Sequence, residues 1–237
     1  MKVYRCKSCD LLYLFPMMSD AATQRLYNHY TNYVFMRGLG DETPLQTFVR
    51  RKPLAATRLE RLKCFLDSNK AVLEVGGGCG NVIGEIKRQK LASCSVIVEI
   101  CHEQLEFAKK EYDLETYLSL SDIQEKKSFD FIFLFHVLEH INEPIAFLKN
   151  IYQLLKNDGL VFFEVPSSSD PLISLYNIDS FKDFYFQVQH PYVYSEKSLR
   201  QLVDSSEFSI VEFRYHQRYS FLNHLKWLNG EKQRTCN

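Results

Sequence analysis

The chain has 237 residues, of which 46% are hydrophobic and 24% charged, and its 29 basic residues balance 29 acidic ones. That length carries one sizeable core, and the composition is that of an ordinary globular protein. A net charge of zero argues against nucleic acid or an anionic membrane as a partner, and no apolar run approaches the ~20 residues of a membrane span. The seven cysteines are an odd number in no disulfide-scaffold pattern, and the N-terminus has no apolar centre of a signal peptide, so a reducing, cytoplasmic location is expected.

Cys6-Lys-Ser-Cys9 comes first. Two thiolates at this spacing can share a zinc ion across a tight turn, but a closed site needs four ligands, and Cys64, Cys79, Cys94, Cys101 and Cys236 stand singly. A metal-free hairpin is the expectation and a bound zinc the alternative. Ser19-Asp20 offers an N-cap for a helix to about Tyr30, in a region made aromatic by Tyr27, Tyr30 and Tyr33 beside His29. Gly38 opens a loop, and a helix follows over 45–67 with Arg50, Arg51, Lys52, Arg58, Arg61 and Lys63. That basic run reads as a solvated face, with a cradle for an anionic acceptor as the alternative.

From residue 71 the pattern alternates strand and helix: strand 71–75, helix 81–89, strand 95–100, helix 102–112 and a short strand 116–120. Such alternation implies a parallel sheet with helices on both faces. The first strand runs into V-L-E-V-G-G-G-C-G, where Gly76, Gly78 and Gly80 allow a tight turn or a close approach to a ligand. Glu74 ends that strand and Glu99 ends the next, about 20 residues on, where a carboxylate suits a ribose diol. Residues 129–135 are almost wholly apolar, a central strand covered on both faces. The strand ends at His136-Val-Leu-Glu139-His140, a turn entering a helix; at i, i+3 and i+4 the three polar residues share one helical face. They read as pocket lining, as a base with its orienter, or as part of a metal site.

A helix over about 142–156 stops at Asn157-Asp-Gly159, and a strand follows over 160–165. Residues 166–191 form a long excursion carrying Tyr176, Phe181, Phe184, Tyr185, Phe186 and His190, whose rings read as an acceptor-pocket wall or as core filling. His190 precedes Pro191 and so sits on extended backbone, from which its ring can face a pocket. Ser195 caps a helix to about 205, and a sixth strand is expected over 207–215.

E-V-G-G-G-C-G, Glu99, F-D-F-I-F-L-F-H-V-L-E-H-I and L-L-K-N-D-G-L-V-F-F-E-V-P come in the order of the motifs of class I S-adenosylmethionine (SAM)-dependent methyltransferases, which this stretch resembles. The resemblance implies an α/β, Rossmann-like sheet with helices on both faces, and SAM as cofactor. It places Glu74, Gly76, Gly78 and Gly80 along the amino-acid end of SAM, Glu99 at the ribose, Ile100 beside it, Asp122 at the adenine and His136 at the pocket wall. His190, as leading general base, and His136 and His140 would face the acceptor. The E-x-x-E-H of small-RNA 2′-O-methyltransferases, which holds Mg²⁺, is similar to the turn, but His136 stands where those enzymes have Glu; no metal is assigned.

Y-R-C-K-S-C-D-L-L-Y-L-F-P resembles the second half of a zinc ribbon that precedes many bacterial methyltransferase domains, and R-Y-x-x-x-N-H-L-x-W-L, from Arg218 to Leu228, resembles an element of methyltransferases in surface-polysaccharide pathways. The second, with the four motifs and the aromatic excursion, implies O-methylation of a sugar or glycan precursor; a quinone-like or other small molecule, RNA, or an inactive SAM-binding scaffold are the alternatives. The chain stops ten residues after Trp227, which puts the seventh strand of the class I sheet in question and leaves a shortened member or a homodimer as the outcomes. The expected division is a hairpin remnant and helical lid over 1–67, a SAM-binding domain over 68–216 with an acceptor-site insertion at 166–194, and a helical tail over 217–237.

Overall fold

A computed structural model describes residues 2–36 and 39–231; Gly38, Cys236 and the side chain of Tyr33 lie outside what it describes. Its strands are β1 Lys2–Arg5, β2 Leu12–Phe15, β3 Asp67–Val75, β4 Ala92–Val98, β5 Glu115–Tyr117, β6 Phe129–Phe135, β7 Leu155–Glu164 and β8 Tyr192–Val193. Its α-helices are α1 Asp20–Tyr27, α2 Tyr30–Met36, α3 Pro44–Leu62, α4 Asn81–Arg88, α5 His102–Tyr112, α6 Pro144–Leu154, α7 Pro171–Ser174, α8 Asp179–Tyr185, α9 Glu196–Asp204 and α10 Phe221–Leu228. Contacts group these into two compact units that interleave along the sequence, one of residues 21–138 and 147–164, the other of the described parts of 1–20, 139–146 and 165–237.

The first unit is built on a five-stranded sheet of order β5-β4-β3-β6-β7, parallel throughout. Parallel strands bury both faces, and β6 shows it: every residue from Phe131 to Phe135 is 6% exposed or less. Ile83 and Ile86 of α4, Leu105 of α5 and Leu59 and Leu62 of α3 pack with Ile97, Phe131, Phe133 and Phe135 in one apolar cluster. The strand order reverses at β3, which lies between β4 and β6. A ligand of an open α/β sheet binds beyond the carboxyl end of the strands at such a switch point, and Gly76 follows β3 directly.

Two expectations about this sheet are corrected. Asn157-Asp158-Gly159 does not merely end a helix: α6 stops at Leu154 and β7 starts at once, so the three residues are absorbed where the register jumps from Phe129–Leu155 to Phe131–Leu160. Residues 207–215 form no strand, and among the described residues neither a sixth nor a seventh strand joins the sheet. Val211 and Tyr215, two of the apolar residues that made the segment read as a strand, are 82% and 60% exposed.

In the second unit β1 and β2 form an antiparallel hairpin, and β2 also pairs antiparallel with β8, Leu12 opposite Val193 and Tyr13 opposite Tyr192. The N-terminal hairpin is therefore built into a sheet with the residues after His190. Ser195, which caps α9 through the amide of Ser198, also donates its hydroxyl to the Cys9 carbonyl at 2.9 Å. The core of this unit is Leu12, Leu172, Ile173, Phe181, Tyr185, Val193 and Trp227. Phe181 and Phe184 lie 4.7 and 5.3 Å from Trp227, centroid to centroid, and Tyr219 closes the cluster at 5.0 Å. Of the two readings of the aromatic excursion, core filling is what Phe181, Phe184 and Tyr185 do, whereas Tyr176 is exposed.

Candidate functional site

The bend after β3 takes its shape from glycine. Gly76 has φ +70°, and a Cβ there would lie 2.4 Å from Val137 Cγ2, so any side chain would be both strained and in collision. Gly78 has φ +58°, and a Cβ there would stand 3.3 Å from Arg51 Nη1 and 3.6 Å from Gln104 Oε1. The gap above the bend is thus walled by a guanidinium and a buried amide. Gly80, also at positive φ, opens α4.

Two carboxylates hold this bend. Glu99 accepts from the Gly78 amide at 2.8 Å through one oxygen and from the Cys101 amide at 2.9 Å through the other. Glu74 accepts from the Ile83 amide at 3.0 Å, inside the first turn of α4. Both are buried. Burial pushes the Glu74 carboxyl up to about 8, against the downward pull of the Ile83 amide and the Arg58 and Arg51 charges. Burial also raises Glu99, opposed by the Cys101 and Gly78 amides and by Arg51. A carboxylate offers about four lone-pair positions, so beyond the Gly78, Cys101 and Ile100 amides Glu99 keeps one for a ligand. Gln104 is 4% exposed, and its Nε2 has no hydrogen-bond partner among the described residues. A buried amide donor beside a glycine cradle fits a polar ligand, since leaving such a group unpaired costs about 1–3 kcal/mol.

The other expected residues separate. Ile100 is 38% exposed beyond the end of β4. Asp122 caps a 3-10 turn over Leu120–Asp122, accepting from the Ser119 amide at 2.9 Å, so in this structure its carboxylate does a turn-capping job. His136, Glu139 and His140 do not share a helical face. His136 has φ +57°, and only a 3-10 turn, Leu138–His140, follows it. His136 belongs instead to an ion cluster: its Nε2 donates to Glu164 Oε1 at 2.9 Å, while Arg61 and Arg58 reach the same carboxylate at 2.5 and 3.6 Å. Burial pushes the Glu164 carboxyl up, but His136 and the two arginines outweigh it and hold it well below the usual carboxylate range. Arg58 also lies over the Phe135 ring at 4.3 Å. The basic run on α3 is therefore not a wholly solvated face. Glu164 carried no sequence signal beyond its place at the end of a strand.

His140 and His190 come together in the second unit, ring centroids 4.6 Å apart, and His140 Nδ1 lies 2.8 Å from the Gln189 carbonyl oxygen. At the hairpin turn Cys6 Sγ lies 3.0 Å from Ser8 Oγ; that hydrogen bond and the Cys9 and Ser8 amides lower its thiol to about 7.

Known proteins bear on this geometry. The chain is 28% identical over 103 residues to a ubiquinone biosynthesis O-methyltransferase of Neisseria meningitidis, covering 40% of the chain and 43% of that protein. It is 26% identical over 125 residues to a malonyl-[acyl-carrier protein] O-methyltransferase of Marinomonas, covering 49% and 46%. The matched stretch thus spans less than half of either relative. A solved SAM-dependent methyltransferase from Archaeoglobus fulgidus superposes with a TM-score of 0.59 over 73% of the chain and 76% of its own, at 21% identity, a likeness of fold. A family model described as a methyltransferase domain matches residues 46–212, most of the chain and all five strands of the parallel sheet. The chain belongs to that family, and its domain is a class I SAM-dependent methyltransferase domain.

Proposed function

We propose that the chain transfers the methyl group of SAM to an oxygen of a small-molecule acceptor. The observation that carries this reading is the bend of Gly76 to Gly80, pinned by Glu99 at the switch point of the sheet. SAM supplies a methyl already activated on a sulfonium, with a neutral thioether as leaving group. The protein's own task is to bind, align and exclude water, and alignment alone is worth about 7–11 kcal/mol. Gly76 and Gly78 give the room, Arg51 a positive charge for a carboxylate, Gln104 a donor and Glu99 an acceptor position for a diol. Ile100, exposed beside Glu99, suits the face of a planar base. A hydroxyl acceptor must also lose its proton, and an imidazole can take it. Of the expected histidines, His136 is already engaged with Glu164.

Oxygen is favoured because both curated relatives carry O-methyltransferase in their names. A sugar or glycan precursor of surface polysaccharide is the second reading. It rests on the element around Arg218, Asn223 and Trp227, and the relatives' names lend it no support. The Cys6–Cys9 turn, sited in a hairpin, is compatible with a ribbon remnant. Calorimetry with SAM on the wild type and on Glu99→Ala tests the cofactor half; a wild type that does not bind SAM overturns it. Formation of S-adenosylhomocysteine, screened against phenols, carboxylic acids and nucleotide sugars, tests the acceptor half.

A further inference from the structure

Away from the glycine bend, three side chains able to ligate a cation converge in the second unit. Glu139 and His140 lie on the 3-10 turn, and His190 two residues before β8. One ligand atom from each lies within 4.8 Å of the other two. Glu139 has no exposed surface and His190 is buried, while His140 is half-buried. The bond between His140 Nδ1 and the Gln189 carbonyl sets the chemistry. A carbonyl oxygen only accepts, so Nδ1 is the donor in that bond, and Nε2 is the ring nitrogen that a cation would take. A backbone acceptor that fixes the tautomer and the ring plane is the usual outer support of a metal-bound histidine. Here it comes from the residue next to His190, so one short stretch supplies both a ligand and the orienter of another.

We propose that Glu139, His140 and His190 form a site for one divalent transition cation such as Mn²⁺, Fe²⁺, Co²⁺ or Zn²⁺. Two imidazoles and one carboxylate suit these ions, whereas Mg²⁺ and Ca²⁺ prefer oxygen alone. At a bond length of about 2.1 Å, two ligand atoms on one ion are at most about 4.2 Å apart. The observed spread closes to that with side-chain adjustments of under about one ångström. A dication would offset the cost of holding a carboxylate charge at the fully buried Glu139. Three protein ligands leave coordination positions open, as catalytic sites do and structural zinc sites do not. Binding of a cation at this site does not rest on the proposed function.

The test is Co²⁺ titrated into the metal-stripped full chain, read by visible absorption. Expected is one equivalent bound, with the d–d bands of a nitrogen and oxygen site, at least tenfold weaker in Glu139→Gln and in His190→Gln and unchanged in Cys6→Ser. Far-UV circular dichroism checks that each variant folds. Because Glu139 is buried, the half-buried His140→Gln gives a variant less exposed to failure of folding. No stoichiometric binding overturns the proposal. So do bands that persist in folded His140→Gln and His190→Gln, and so does a thiolate charge-transfer band that Cys6→Ser abolishes. Calorimetry with SAM on the same samples reports separately on the cofactor reading, so failure of one is distinguishable from failure of the other.

Discussion

Glu99 does two jobs with one carboxylate, and substitution separates them. It fastens the glycine bend through Gly78 and the start of α5 through Cys101, and on our reading it receives a diol. Glu99→Gln keeps one accepting oxygen but turns an amide donor toward a backbone N–H. A charge-assisted hydrogen bond is worth about 1.5–3 kcal/mol, so SAM affinity should fall at least about tenfold in Glu99→Gln and further in Glu99→Ala, as read by calorimetry. Wild-type affinity in Glu99→Ala would remove Glu99 from the site. Glu164 carries a structural prediction instead. Glu164→Ala leaves two largely buried guanidiniums and a left-handed His136 without their shared anion, and urea unfolding should show a loss of about 3 kcal/mol. These residues differ in how readable they were. Glu99 and the glycines announce themselves by local order along the chain: strand, bend, strand, acid. Arg61 and Glu164 are 103 positions apart, and charge counting on α3 reads as solvation because the sheet edge that buries the guanidiniums is a tertiary fact. The left-handed backbone of His136 has no sequence mark, since the residue is not glycine, and it is what turned an expected helical face into two separate clusters.

Among the elements, the sequence was most legible where burial and period agree. The bounds of α5 and β6 are as expected, because an amphipathic helix with a first-turn acid and an unbroken apolar run each leave one solution. Residues 207–215 failed for a physical reason: a strand exists only with a partner, and alternating apolar residues cannot supply the missing hydrogen bonds. The turn Asn157-Asp158-Gly159 failed in the opposite sense, since pairing with β6 overrides its preference and stores the surplus residues as a register shift. Helix α4 yields a prediction at this scale. Gly84 sits on its buried face, where a Cβ would come 2.2 Å from the Tyr112 ring of α5. The alanine usually favoured in a helix should here cost about 1–3 kcal/mol by overpacking, the reverse of the helix-propensity gain of up to about 1 kcal/mol. Thermal unfolding of Gly84→Ala checks the sign.

For the molecule as a whole, two buried carboxylates, Glu164 and Glu74, pull stability against pH in opposite directions. Glu164 is held below the usual range, so the unfolded chain binds its proton more tightly than the folded one. Its contribution is complete above the unfolded value near 4.5 and is lost as pH falls below that toward the folded value. Glu74 is the reverse case, raised from 4.5 to about 8, so the folded chain holds a proton that the unfolded chain has already lost. Its contribution is complete below 4.5 and drains away as pH rises to about 8. The isosteric Glu74→Gln cannot titrate, and its carbonyl can still accept from Ile83. The stability of this variant relative to wild type should therefore rise between pH 5 and 8, by roughly 4 kcal/mol in all, and level off above. Urea unfolding of both proteins at pH 5, 6, 7, 8 and 9 measures that difference directly. The difference between the two proteins isolates Glu74, because Glu99, also raised by burial, and Cys6, lowered to about 7, are present in both. A difference that stays flat from pH 5 to 9 would mean that Glu74 is ionised throughout, its charge held by Arg51 and Arg58 more firmly than burial opposes it.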